Sequence, residues 1–175
     1  MSCHPDAKRK DLWLFQEAFV QKSNGNLGFA DDRREIGGAA FRMKLSSLET
    51  DLHLRYSISY AEDSDQQTCF YVNLNSRPGI SLMILDGRVG RVDVDNPQTQ
   101  TTEGVHNGDS EADALRAYGK RLKISPSAYT GPEGHFLTIH SADGKYGFRF
   151  EADNGRIVRY YAGTAEAIEY IEGCE

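Results

Sequence analysis

The sequence predicts an α+β fold of two tandem units, each a short helix followed by a three-stranded antiparallel meander, with an additional N-terminal helix. Three observations carry this expectation. Apolar residues alternate with period two through six segments, grouped in two blocks that begin near Cys69 and His135. The last turn of each block has the same wording, Gly87-Arg88-Val89 and Gly155-Arg156-Ile157. A Ser-x-x-acid capping box precedes each block, Ser46 with Glu49 and Ser110 with Asp113. The offset is 68 residues between the turn glycines and 64 between the capping serines. The unit therefore recurs at about 65 residues, in the order helix, strand, strand, strand.

The expected division is a tether, amphipathic helix and loop over 1–38, a first unit over 39–103 and a second over 104–175. In "DLWLFQEAFVQKS" Leu12, Phe15, Phe19 and Val20 fall at helical spacing behind Asp11 as cap. "SNGNLGFADDRREIGG" carries the Asn-Gly and Gly-Gly pairs of a loop. The Ser46 box opens a helix with Leu48 and Leu52 on one side, and the pattern then shifts to period two at Tyr56, Ile58 and Tyr60. "CFYVNL", "ISLMILDG" and "RVGRVDVD" are the first three strands. The Ser110 box opens a second helix that Gly119 stops. A loop with Pro126, Gly131, Pro132 and Gly134 leads to "HFLTIHS", "KYGFRFEA" and "RIVRYYAG", and the tail "TAEAIEYIEGCE" closes on a short strand or turn. A helix of two or three turns is marginal alone and gains stability by covering one face of a three-stranded sheet. Each helix is thus expected to act as a lid.

At 175 residues the chain is long enough to bury a core of its own. Its formal net charge of −6 argues against a general nucleic-acid binder, which shows a basic field. No apolar run reaches the length of a membrane span. Cys3, Cys69 and Cys174 form no C-x-x-C pair. Two readings stand: three unpaired cytosolic thiols, or an envelope protein with a Cys69–Cys174 disulfide that clips the C-terminus to the middle of the chain. In the second reading Cys3 is the odd one out. Its setting, "MSCHPDAKRK", resembles the trimmed end of a lipoprotein signal, with Cys3 as the lipid anchor.

No catalytic grouping emerges, and no cofactor is expected. The five histidines are scattered, and His135 and His140 have opposite strand parity, so they face opposite sides. Nucleophile-elbow, phosphate-loop and zinc-protease motifs are absent. The acidic turns "AEDSD" and "DVDN" lack the ligand register of a calcium loop and read as solvated turns. Alternation assigns Phe70, Val72, Ile80, Leu82, Ile84, Val92 and Val94 to a core face, with Leu137, Ile139, Phe148, Phe150, Val158 and Tyr160. The opposite positions include Tyr71, Met83, Arg91, Arg149, Arg159 and Tyr161. Tyr, Met and Arg are enriched at protein-binding surfaces. This face is the candidate protein-binding site; the competing reading is a solvated face with cross-strand ion pairs.

The Gly-Asp-Ser opening at 108–110, a short helix, "YG" at 118–119 and a meander ending on Gly-Arg-Ile/Val resemble the unit of two families. One is the outer-membrane assembly lipoproteins of the SmpA/OmlA (BamE) type; the other is the tandem unit of the β-lactamase inhibitory protein. From Cys69 to "YIEGC" the chain also resembles Gram-negative periplasmic, lipoprotein-like proteins with a similar "LDGRV" and a closing "EGC". The first unit departs from the pattern, having "KLSSLE" in place of Gly-Asp-Ser, and the helix over 11–22 has no counterpart. The resemblance implies a periplasmic or outer-membrane-anchored protein of a Gram-negative bacterium. The function expected is a non-enzymatic protein-binding module, most concretely an inhibitor or immunity protein that blocks a secreted hydrolase or toxin. The alternatives are an outer-membrane assembly scaffold, and a small-ligand binder or enzyme using the groove between units.

Overall fold

The computed structural model describes residues 44–46, 56–59, 68–75, 77–101 and 103–174. Its strands are β1 (Tyr56–Ser59), β2 (Cys69–Leu74), β3 (Ile80–Leu85), β4 (Arg88–Val94), β5 (Lys123–Pro126), β6 (His135–His140), β7 (Tyr146–Asp153) and β8 (Arg156–Thr164). All eight belong to one antiparallel sheet in the order β1-β2-β3-β4-β8-β7-β6-β5. The helix among the described residues is α1 (Glu111–Tyr118).

Two-residue turns close the β3–β4 and β7–β8 hairpins. Asp86 and Gly87 have φ of 49° and 71°, and Asn154 and Gly155 have 49° and 74°. Positive φ at both central residues is the type I′ requirement, which Asp-Gly and Asn-Gly meet at low cost. A bulge follows each turn. Gly90 is the extra residue of β4, and Val158 that of β8. The bulge turns Val158 outward to 51% exposure, so the core position expected for it is corrected.

One sheet face is apolar. Phe70, Val72, Leu82, Ile84, Val89 and Val92 cluster over β2–β4, and Leu137, Ile139, Phe148, Phe150, Ile157 and Tyr160 over β6–β8. Helix α1 presses Ala114 and Tyr118 onto the second cluster, with the Tyr118 ring 5.5 Å from Phe150. Ser110 and Asp113 form the expected reciprocal capping box, and Gly119 follows the last helical residue with φ of 58°. The helix start is stitched to the β7–β8 turn, since the Glu111 amide donates to the Gly155 carbonyl at 3.0 Å. Its lid role holds.

The predicted architecture is nevertheless corrected. Two separate helix-plus-meander units with an N-terminal helix are not what forms; the fold is an eight-stranded antiparallel sheet with one short helix among the described residues. The six expected strands are present, but β1 and β5 extend the sheet, and β4 pairs directly with β8 from Arg91↔Gly163 to Val94↔Tyr160. That junction removes two unpaired edges and makes the two apolar clusters neighbours, which separate meanders would not do. The helix expected over 11–22 and most of the helix expected after Ser46 lie outside the described residues.

Candidate functional site

The second sheet face is where the expected binding residues lie, and the chain folds back over it. After β8 the Ala165 amide donates to the Lys145 carbonyl at 2.8 Å, and a 3₁₀ turn over Ala167–Glu169 begins a strap that ends at Cys174. Ala167 and Ile168 are fully buried. Two strand positions beneath it are glycine: a β-carbon on Gly147 would collide with Ile168, and one on Gly90 would meet the Leu85 side chain at 2.8 Å and the Ala167 β-carbon at 3.4 Å. Cys174 is bonded to Cys69 at the start of β2, 105 residues away in sequence.

Arg91 clamps the strap. Its Nη1 donates to the Ala167 and Tyr170 carbonyls at 3.2 and 2.6 Å. Its Nη2 donates to the Tyr71 hydroxyl at 2.7 Å and reaches Asp93 Oδ1 at 2.9 Å, while Nε donates to Asp93 Oδ2 at 3.0 Å. The guanidinium is therefore held by four hydrogen bonds and a close ion-pair contact, and it lies 4.2 Å from the Tyr161 ring centroid. Burial works to lower the Arg91 pKa, but the charge and hydrogen bond of Asp93 outweigh it and hold it above its ordinary value. Burial pushes the Asp93 carboxyl up, against the opposing pull of Arg91. Burial, helped by the Asp93 charge, pushes the Tyr71 phenol up to about 12. Arg149 makes a second tie, donating to Glu169 Oε1 at 2.6 Å and to Thr138 Oγ1 at 2.9 Å.

These contacts fix where the six sequence-predicted binding residues stand. Met83, Arg91, Arg149 and Tyr161 are 0, 3, 6 and 1% exposed, so the solvent-facing position expected for them is corrected. The physical reason for the two arginines is the strap, to which both donate directly. Tyr71 and Arg159 remain half-buried or exposed, and both line an open groove beside the strap. Cys3, the expected lipid-anchor residue, lies outside the described residues.

The groove has a volume of about 620 Å³ and runs between the end of the strap and the loop after β5. Tyr71, Asp95, Tyr129, Glu151, Arg159 and Glu172 carry its chemistry. The Tyr129 ring is 58% exposed, and its hydroxyl donates to Glu172 Oε1 across the groove mouth. Arg159 Nε donates to Glu151 Oε2 at 2.7 Å on the wall. Sequence reasoning missed Tyr129 and Glu172. The available signal was an aromatic inside the turn-rich "SPSAYTGPEG", where burial in a core is improbable and exposure is the default. Among the described residues no three His, Cys, Asp or Glu gather as metal ligands would. The groove brings together aromatic side chains, carboxylates and the exposed Arg159 guanidinium.

No protein-family model and no curated protein matches the chain. Among solved structures, the uncharacterised protein yfeY from Escherichia coli is similar at 12% identity and a TM-score of 0.40, over 71% of this chain and 90% of that one.

Proposed function

We propose that this protein is a non-enzymatic binding module of the bacterial envelope that engages another protein through the strap groove. In its most concrete form it is an inhibitor or immunity protein that occludes a secreted hydrolase or toxin. The observation that carries the reading is the groove, where exposed Tyr129 and Arg159 stand beside a strap held by the Arg91 clamp and the Cys69–Cys174 bond. Tyrosine and arginine dominate binding hot spots. A surface fixed before binding loses less conformational entropy when the partner arrives. The disulfide supports an oxidising compartment, since such bonds persist there and are rare in the cytosol.

The test is affinity capture from a Gram-negative envelope fraction with two baits, the native chain and Tyr129→Ala/Arg159→Ala. The expected result is a partner retained by the first and lost by the second, with melting temperatures that agree. Equal retention, or none by either bait, would overturn the reading. A second reading, capture of a small ligand, is favoured by one observation: the groove volume lies within the range of ligand pockets, roughly 300–1,000 Å³. A low-molecular-weight species released on denaturing the native protein would support it.

A further inference from the structure

We infer that the strap groove docks a basic segment of its partner, seating a lysine or arginine side chain beside Asp95, Glu172 and the Tyr129 ring. This rests on the reading of the groove as the binding surface and adds the partner's chemistry. Among the described residues four carboxylates line the groove, Asp93, Asp95, Glu151 and Glu172, against two guanidiniums, Arg91 and Arg159. Both guanidiniums are already neutralised, Arg91 by Asp93 at 2.9 Å and Arg159 by Glu151 at 2.7 Å. Among these six groups two negative charges are left over. Among the described residues Asp95, which is exposed, makes no ion pair, and Glu172 accepts a hydrogen bond only from the neutral Tyr129 hydroxyl. An acidic partner would meet this excess as repulsion, whereas a cation would compensate it.

The aromatic walls suit the same occupant. Tyr129 presents an exposed ring, and a cation over such a face gains quadrupole attraction that an anion or neutral polar group does not. The fold itself uses this contact next door, where the Arg91 guanidinium lies over Tyr161. The net charge of −6 also steers a basic partner toward the molecule, with a rate that falls as salt rises.

The experiment titrates the full chain with acetylated, amidated tri-arginine, using tri-glutamine as the neutral counterpart, followed by ¹H–¹⁵N NMR. Asp95→Asn is compared with Asp143→Asn, which makes the same change in net charge on the turn at the far end of the β6–β7 hairpin. Saturable shifts at Tyr129 and Asp95 with tri-arginine alone are expected. Asp95→Asn should weaken binding about fivefold, the scale of one exposed ion pair, and Asp143→Asn should leave it unchanged. Shifts spread over the surface, equal weakening by both variants, or no saturation would overturn the inference. Partner capture that depends on Tyr129 and Arg159 but not on Asp95 would overturn it too, while leaving the groove as the binding surface.

Discussion

Arg91 shows how much a single side chain can organise when its guanidinium holds several groups at once. It is 3% exposed and binds one carboxylate, one phenol and two carbonyls of a segment more than seventy residues away. Arg91→Ala leaves Asp93 buried without its counter-charge, a change that typically costs about 3–5 kcal/mol. Urea denaturation should register that loss. Arg91→Lys keeps the charge but not the fork, so it should recover only part of the stability. Gly147 is the complementary case. Gly147→Ala places a methyl where Ile168 lies, and overpacking of this kind costs about 1–3 kcal/mol. Thermal melts should show the loss, and Gly147→Ala combined with Ile168→Val should recover some of it. The sequence shows that Arg91, Arg149 and Tyr161 share a face, because side-chain parity is local. It does not show that a tail returns to bury them. Gly147 records that return, since a β-carbon there would collide with Ile168, but a strand glycine reads equally as a bulge or a weak point until its neighbour is known.

At the scale of the element, α1 is stabilised from both ends and by the sheet below. Ser110→Ala removes the cap and should cost about 1 kcal/mol. Asp113 is the reciprocal partner, and the hydrogen bonds from Ser110 and Arg116 lower its pKa from 3.8 to about 2. Because the folded value is depressed, its contribution is fully present above the unfolded pKa and fades as pH falls toward 2. The melting-temperature gap between the native chain and Asp113→Asn should therefore be full at pH 6 and close progressively below pH 4. A gap unchanged at pH 2 would remove the carboxylate from the account. The cap, the glycine stop and six strands were legible because each is encoded within a few residues. Strand β5 was not. Lys123–Pro126 is exposed throughout, so no apolar alternation marks it, and Pro126 counts against a strand except at an edge, which is where it sits. The β4–β8 junction was equally silent, since alternation identifies a strand's faces and says nothing of which edge it offers to which neighbour.

For the whole molecule, the strap and its disulfide tie one half of the sheet to the other. The strap leaves β8, crosses to β2 and is bonded there, so the last residues brace the sheet at a distance from its central seam. No helix among the described residues is long and apolar enough to cross a membrane. A clip of 105 residues acts mainly on the unfolded chain, where the chain-entropy model gives about 4.7 kcal/mol for a loop of this size. The folded strap has other anchors, namely the Arg91 and Arg149 hydrogen bonds and buried Ile168. Cys69→Ser/Cys174→Ser should therefore lower the urea midpoint by the equivalent of about 2–5 kcal/mol and raise the m-value as the unfolded state expands. The folded protein should keep its groove. Hydrogen exchange separates the two effects: amides of Ala167 and Tyr170 should stay protected in the variant under native conditions and lose protection only through global unfolding. If they exchange freely while the β6–β8 amides remain slow, the covalent bond, and not the arginine clamp, is what holds the strap.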